Sequence, residues 1–239
     1  MKKIILLITV VFITNNILSQ TMVVKKADGS YMEVSITDSV ELCFYLPCPG
    51  TPTVFYEGKT YNTVQIDSQC WLKENLDVGT RMDGIGDQTN NSLIEKYCYN
   101  DDPNNCTTYG GLYQWNEAMQ YVTNEGAKGI CPTGWHLPTL AEFTTLSTTV
   151  GMDGNVLKAV GQGSGDGAGT NISGFSALLA GGRGYDGYFT NLGYYAYFWS
   201  STEYGATDAN GLDLIGSGSD VFLYDGSKEF GFSIRCLKD

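Results

Sequence analysis

The only histidine of the chain, His136, is the residue on which any Ser-His-Asp or Cys-His site would have to be built. It stands directly before a helix start that the Thr-x-x-Glu capping box of Thr139 and Glu142 predicts. That position favours a structural role, in which the imidazole is hydrogen-bonded at the start of the helix. The sequence therefore predicts a structural His136 and no nucleophilic triad.

Paired carboxylates are the second chemistry to consider, since two of them can hydrolyse a glycoside. Glu117, Glu142 and Glu203 are the candidates beside the aspartates, but no spacing singles out a pair. Glu142 is already explained as part of the capping box. We therefore expect a protein that is not an enzyme, with an extracellular enzyme acting on a polymer or peptide as the alternative.

Two glycine-rich loops, 83–87 and 166–171, carry carboxylate and carbonyl oxygens on backbone that bends readily. Such hard oxygens are the ligands that Ca²⁺ prefers, but neither loop has the ligand spacing of an EF-hand. Ordinary polar turns explain both loops. The sequence predicts no metal ligand and no cofactor, and Ca²⁺ is the alternative.

The strongest binding signal is a run of aromatic residues at 185–199 inside a glycine-rich segment, 151–218. A flexible linker lacks aromatic residues, so this composition indicates ordered loops held by rings. Trp199 is expected in the core. Tyrosines on such loops bind sugars through their ring faces and hydroxyls, which predicts a ligand-binding face made of Arg183, Tyr185, Asp186, Tyr188 and Tyr194.

The elements that must position these residues begin with hairpins. Alternating apolar residues predict one hairpin within 21–46, with a two-residue turn at Asp28-Gly29. A second hairpin is predicted over 53–66, with its turn at Glu57-Gly58. The Pro-rich segment 47–52 cannot continue a ladder and is predicted to be a linker.

Two helices are predicted between the strands. Leu112, Trp115, Met119 and Val122 recur at helical spacing, which predicts a helix over 111–122. The capping box predicts a second helix over 139–149. Apolar residues then alternate between 212 and 236, as they do in strands.

The N-terminus has the organisation of a secretory signal peptide. Lys2-Lys3 precedes a short apolar run, 4–13, and Ser19 suits the position before the cleavage site, so residues 1–20 are predicted to be removed. Cleavage changes the net charge from −12 to −12 − 2 = −14. That charge argues against nucleic acid and anionic lipid, and fits a cation or a neutral polymer better. The expected partner is an extracellular glycan or surface protein, with no membrane insertion after cleavage.

The seven cysteines indicate a disulfide framework with one thiol left over, as expected in an exported chain. Cys98 and Cys106 bracket a short polar loop, which predicts a disulfide between them. Zinc is the rival explanation. The chain offers neither a CxxC pair nor a second histidine, the ligands that structural zinc prefers.

Six strings spread over residues 69–239 resemble one family: Gln69-Cys70-Trp71-Leu72-Lys73-Glu74-Asn75-Leu76, Gly111-Leu112-Tyr113-Gln114-Trp115, Cys131-Pro132-Thr133-Gly134-Trp135-His136-Leu137-Pro138-Thr139, Gly174-Phe175-Ser176-Ala177-Leu178, Phe198-Trp199-Ser200-Ser201-Thr202-Glu203 and Ile234-Arg235-Cys236-Leu237-Lys238-Asp239. They look like the Fibrobacter succinogenes major paralogous domain of exported bacterial proteins. The resemblance covers about 53–239, and the segment 21–46 is similar to a short β-rich leader.

The resemblance implies a C-type-lectin-like fold, distantly similar to formylglycine-generating enzymes, in which the two chain ends meet in one sheet. It thereby suggests a disulfide between Cys131 and Cys236, and a further pair of Cys48 with Cys70 would leave Cys43 unpaired. No reactive, copper-binding cysteine pair of those enzymes can be carried over.

The expected protein is therefore an α+β domain with a twisted, mostly antiparallel sheet, two helices and long Gly-rich ordered loops, stapled by disulfides. It is expected to be secreted or displayed on the bacterial surface as a non-catalytic recognition module. A purely structural or adhesive surface component is the further alternative.

Overall fold

The computed structural model describes residues 45–239 and, as backbone only, the strands at 20–25 and 31–36. The chain divides into two compact units, Met1–Cys43 and Phe44–Asp239. In the first unit β1 (Gln20–Lys25) pairs antiparallel with β2 (Tyr31–Ile36), which is the hairpin that the alternation predicted.

Three predictions on this part of the chain lie outside the described residues. They are the signal peptide before Gln20, the turn at Asp28-Gly29 and the unpaired Cys43.

The second unit holds the remaining elements in a mixed order of strands and short helices. The strands are β3 (Thr53–Tyr56), β4 (Lys59–Ile66), β5 (Gln69–Leu72), β6 (Thr80–Met82), β7 (Glu95–Tyr97), β8 (Tyr113–Gln114), β9 (Trp135–His136), β10 (Ala180–Arg183), β11 (Phe189–Leu192), β12 (Tyr195–Glu203), β13 (Asp208–Ile215), β14 (Val221–Ser227), β15 (Gly231–Phe232) and β16 (Leu237–Lys238). The helices are α1 (Pro103–Tyr109), α2 (Trp115–Ala118), α3 (Leu140–Thr149) and α4 (Gly154–Leu157), with 3₁₀ turns at Tyr99–Asp101 and Gly165–Gly167. The domain is thus mixed α+β and mostly sheet.

One sheet has five strands in the order β3-β4-β5-β16-β9, all antiparallel. The last strand of the chain, β16, lies between β5 and β9, so both ends of this domain meet in one sheet. The β3–β4 hairpin turns at Glu57 and Gly58, whose φ values of 47° and 80° suit the two-residue turn that the sequence predicted.

A second sheet has seven strands in the order β14-β13-β12-β10-β15-β8, with β11 added to β10. Its pairs are antiparallel except for β10 with β12, where Gly181 lies opposite Ala196. The only other parallel pair among the described strands is β6 with β7. The sheet is therefore mostly antiparallel, as expected.

Strand β12 separates two hydrophobic clusters because its side chains alternate between the two faces of the sheet. Trp199 belongs to the cluster that also contains Trp115 and Phe232. Phe198 belongs to the other, with Trp71 and Phe175. The prediction of a core Trp199 is confirmed, since the ring is fully buried and its Nε1 donates to the carbonyl oxygen of Tyr113 at 2.9 Å.

The prediction of a helix over 111–122 is wrong. Gln114 pairs with Gly231 in the sheet, and the helix that follows, α2, is only four residues long. It ends because Gln120 and Tyr121 adopt left-handed φ values of 52° and 60°. The apolar residues of this segment are buried by the sheet rather than by a helix face.

The helix predicted over 139–149 is present as α3, and its capping box is complete. The hydroxyl oxygen of Thr139 accepts from the backbone N–H of Glu142 at 3.1 Å, and the carboxylate of Glu142 accepts from the backbone N–H of Thr139 at 2.7 Å. Helices α1 and α4 were not predicted, so the described part of the domain has four α-helices instead of two.

Three disulfides cross-link the domain: Cys48–Cys70, Cys98–Cys106 and Cys131–Cys236. These are the pairs expected from the sequence and the family resemblance. The bridge to Cys70 draws the segment 47–52 onto β4, where the N–H of Cys48 donates to the hydroxyl of Thr63 at 3.0 Å. The expected linker is therefore part of the packed domain.

Candidate functional site

A groove of about 280 Å³ opens at the edge of the hydrophobic cluster that contains Trp115, Trp199 and Phe232. Aromatic rings form most of its lining. Its aromatic walls are Tyr197 on β12, Tyr224 on β14, Phe230 and Phe232. Between them lie the smaller or polar residues Gly182, Arg183, Gly184, Thr190, Asn191, Asp225 and Gly226. We refer to this feature as the aromatic groove.

Strand register brings these rings together. Alternation along β12 places Tyr197 and Trp199 on one face, and across β13 the residue Gly211 lies opposite both Trp199 and Tyr224. A Cβ added at Gly211 would lie 3.1 Å from the Tyr224 ring. The glycine therefore makes room for Tyr224 to lie over the sheet.

The rings form a stacked ladder. Tyr195 and Tyr197 are nearly parallel, with centroids 5.4 Å apart and an interplanar angle of 2°. Tyr197 stacks on Phe232 at 4.7 Å, and Phe232 contacts Trp199 at 4.5 Å. Tyr224 meets Tyr197 edge-on at 6.2 Å. Such contacts hold the exposed ring faces in fixed orientations before any ligand arrives.

The polar groups of the groove are few. Asn191 Nδ2 donates to the hydroxyl of Tyr197 at 3.0 Å, and Asp225 is exposed at the rim. The hydroxyl of Tyr224 and Oδ1 of Asp213 are buried, and neither has a hydrogen-bond partner within the described structure. Burial raises the pKa of Asp213 to about 6. These two groups are the unsatisfied polar atoms beneath the rings.

Arg183, expected on the ligand-binding face, is instead 1% exposed. Its guanidinium donates to the carbonyl oxygens of Gly84, Gly86 and Glu229 at 2.8, 3.2 and 3.0 Å, and to Oδ1 of Asp87 at 3.1 Å. The prediction is corrected because every nitrogen of the side chain is used internally. The oxygens of the loop 83–87, which suggested Ca²⁺, bind this guanidinium.

The other predicted residues do not form one surface. Tyr185 is 68% exposed and packs against Phe230 at the rim of the aromatic groove, with centroids 6.1 Å apart. Asp186 and Tyr188 line a separate cavity of about 500 Å³, and Tyr194 lines a third of about 380 Å³.

The reason for this separation is the β11 hairpin. Tyr188 and Tyr194 lie at opposite ends of the four-residue strand β11, which spans about 13 Å at the usual rise of a strand. Residues that are close in sequence are therefore directed to different cavities.

His136 has both ring nitrogens occupied. Its Nδ1 lies 2.7 Å from Oδ1 of Asp239, and its Nε2 lies 3.1 Å from Oε1 of Glu142. The hydrogen bond to Glu142 is the main cause that raises the pKa of the imidazole, and the bond to Asp239 adds to it. Both ring nitrogens therefore face carboxylates, and these contacts hold the imidazole at the start of α3.

The candidate carboxylates lie in different surroundings. Glu117 is buried and accepts from the N–H of Glu95 at 2.9 Å and from the hydroxyl of Tyr121 at 2.7 Å. Glu203 forms an ion pair with Lys228. No pair of these glutamates shares a site.

Sequence reasoning missed the far wall of the aromatic groove. Tyr224, Phe230 and Phe232 lie about 30 residues after the glycine-rich aromatic run. Phe230 and Phe232 alternate, as residues on one face of a strand do, which was the available signal. What it could not reveal is that β15 pairs with β10, where Gly231 lies opposite Arg183.

Residues 45–239 contain neither a candidate metal cluster nor a candidate membrane-spanning helix. No group of three or more His, Cys, Asp or Glu side chains there is arranged to hold a metal ion. None of the described helices combines the length and the apolar character that crossing a membrane requires.

Comparison with known proteins gives a family and no closer relative. No curated protein and no solved structure matches the chain. The family model of the Fibrobacter succinogenes major domain matches residues 64–238, which is well over half of the chain. The match contains every strand of the seven-stranded sheet and every residue that lines the aromatic groove, whereas β3 and the start of β4 lie before it. The protein therefore belongs to the Fibrobacter succinogenes major domain family.

Proposed function

We propose that the protein is a secreted, non-catalytic recognition module that binds a carbohydrate in the aromatic groove. The observation that carries the proposal is the stacked ladder of Tyr197 and Phe232, which faces an open groove beside Tyr224 and Phe230. Sugars present apolar C–H faces that pack on such rings, while side-chain amides and carboxylates bind their hydroxyls. Asn191 and Asp225 supply these polar groups at the rim.

The charge of the groove favours a neutral or amino sugar. Asp225 lies in its wall and Asp213 lies beside Tyr197 on the neighbouring strand. The only arginine in the lining, Arg183, is already neutralised by Asp87. An acidic sugar would meet carboxylates without an available cation, so like-charge repulsion disfavours it.

Export and the C-type-lectin-like fold belong to the same proposal. Three disulfides support an oxidising compartment, where such bonds persist. The position of β16 between β5 and β9 supports the fold, since the resemblance implies that the chain ends meet in one sheet. A non-catalytic role is supported by His136, whose two nitrogens both contact carboxylates.

The test is a glycan array probed with the oxidised chain, followed by titration of the best neutral oligosaccharide. Tyr185→Ala and Asn191→Ala should each weaken binding about fivefold, the loss expected for one ring or hydrogen-bond contact. Tyr204→Ala is the matched control, because Tyr204 is 64% exposed and does not line the groove.

Tyr188→Ala tests the alternative location, since Tyr188 lines a different cavity. We expect it to bind as the wild type does. The absence of any glycan bound, or a loss confined to the Tyr188 variant, would overturn the assignment of the aromatic groove. Turnover of an oligosaccharide during the titration would favour the enzyme, and a protein that binds no ligand would favour the structural or adhesive component.

A further inference from the structure

A fourth cavity, of about 320 Å³, lies between the end of α1 and the segment that follows β5. Lys59, Lys73, Asn75, Ser176 and Arg235 are among its lining residues, and none of them lines the aromatic groove. Three of the strings on which the family resemblance rests meet here, those containing Lys73-Glu74-Asn75, Ser176 and Arg235. The proposed carbohydrate site uses none of them.

The unusual group in this cavity is Arg235, which is fully buried. Its Nε and Nη2 donate to Oδ1 of Asn75 at 3.2 and 2.7 Å, and its Nη1 donates to the carbonyl oxygens of Leu72 and Phe175. These are four hydrogen bonds from a group with five N–H donors. One N–H of Nη2 therefore has no partner within the described residues.

Arg235 forms no ion pair within the described residues, although the carboxylate of Glu74 acts on it from a greater distance and its guanidinium lies 4.4 Å from the ring centroid of Phe175. Arg183 is equally buried, yet its guanidinium forms an ion pair with Asp87 at 3.1 Å. Burial lowers the pKa of Arg235 to about 9. A buried cation without a direct ion pair is costly, and an anion placed beside it would offset that cost.

Asn75 is held so that its amide oxygen faces the guanidinium. Its Nδ2 donates to the carbonyl oxygen of Tyr109 at 2.8 Å and to the hydroxyl of Ser233 at 3.2 Å. The amide is therefore committed to orienting Arg235 and carries no charge to neutralise it. This arrangement fixes the direction of the remaining N–H.

Two ammonium groups stand at the same cavity without a hydrogen-bond partner in the described structure. Lys73 Nζ lies 5.1 Å from the ring centroid of Tyr45, whereas Lys59 Nζ forms an ion pair with Oδ2 of Asp77 at 3.7 Å. The one acidic residue in the lining, Glu74, keeps its charge while the backbone N–H and Nδ2 of Asn62 donate to its two oxygens at 2.8 Å. The lining thus holds three cationic side chains, Lys59, Lys73 and Arg235, against one carboxylate, in a chain whose net charge is −12.

We propose that this cavity binds a small oxyanion, the carboxylate or sulfate group of a small ligand. One oxygen accepts from the free N–H of Arg235 Nη2, and the charge is matched by Lys59 and Lys73. Ligand pockets usually measure about 300–1,000 Å³. A volume of about 320 Å³ therefore fits a single acidic sugar or an inorganic ion rather than a polymer.

The experiment titrates the full oxidised chain, at about 0.15 M salt, with three separate probes: glucuronate, inorganic sulfate and neutral glucose. Calorimetry or ligand-observed NMR reports binding. Glucuronate and sulfate should bind and compete with each other, and glucose should not displace them. Lys59→Met and Lys73→Met should each weaken binding about tenfold, the loss expected for a charged contact.

Lys128→Met is the matched control, since Lys128 is an exposed lysine outside the cavity. Tyr185→Ala should also bind the anion as the wild type does, which separates this site from the carbohydrate groove. Sulfate binding alone would identify a tetrahedral ligand, and glucuronate binding alone a carboxylate, and either supports the proposal. No binding of either anion, or equal losses for Lys128→Met and Lys73→Met, would overturn it.

Discussion

Asp213 should make the stability of the domain depend on pH in a direction opposite to most carboxylates. It lies on β13 opposite Tyr197, and its Oδ1 is buried with no hydrogen-bond partner in the described structure. Burial raises its pKa from 3.8 to about 6. Since the folded pKa is the higher one, the folded state favours the protonated acid.

The sign of the effect follows from proton linkage. Around pH 4–6 the folded state holds more of the proton than the unfolded state, so the free energy of unfolding falls as pH rises. A change from 3.8 to about 6 corresponds to about 3 kcal/mol. Because the carboxylate is partly exposed, solvent screening reduces this to about 1 kcal/mol.

The perturbation is Asp213→Asn, which keeps the shape of the side chain and removes its charge. Urea unfolding of the oxidised protein should show the variant more stable than the wild type by about 1 kcal/mol at neutral pH. The advantage should shrink steadily toward pH 4. Asp220→Asn, at an exposed position between β13 and β14, should show no such trend.

Two results would refute this reasoning. One is an advantage of Asp213→Asn that is the same at low and neutral pH, which would assign it to packing rather than to charge. The other is a variant less stable than the wild type at neutral pH, which would mean that the carboxylate has a favourable partner.

Three further predictions concern other parts of the domain. Replacing both Cys131 and Cys236 by Ser should lower the free energy of unfolding by about 4–5 kcal/mol in denaturant titrations, because the bridge spans 105 residues; a loss below 1 kcal/mol would contradict it. The stabilisation by His136 should be complete below the unfolded pKa of 6.5 and decline as pH rises through the raised folded pKa, so the stability difference from His136→Gln should shrink with pH. Tyr224→Phe removes a buried, unpartnered hydroxyl and should raise stability by about 1 kcal/mol, seen as a higher Tm; a lower Tm would show that the hydroxyl is satisfied.

The elements that the sequence predicted correctly are those whose cause is local. Helix α3 begins where Thr139 and Glu142 exchange hydrogen bonds over three residues. The β3–β4 hairpin turns where Glu57 and Gly58 accept left-handed backbone. In each case the stabilising contact lies within a few residues, so the pattern and the structure report the same interaction.

The predictions that differed from the structure depended on contacts far along the chain. The apolar spacing around Trp115 matches a helix, yet β8 pairs with β15, more than 100 residues later. Sheet pairing and burial there outweigh a short helix, whose intrinsic stability is small. Arg183 lies next to an aromatic run in the sequence, which predicted that it contacts a ligand. In the structure its buried guanidinium instead donates hydrogen bonds to the loop 83–87.

By itself the sequence determined the local and covalent features: the disulfide-rich composition, the alternation of the strands, the turn at Glu57-Gly58 and the start of α3. The tertiary structure alone decided which rings share a surface. Tyr197 and Phe232 are 35 residues apart and meet only because β12, β10 and β15 lie side by side. A one-residue change of register would turn every side chain of a strand to the opposite face, and register is set by the packing of the whole sheet.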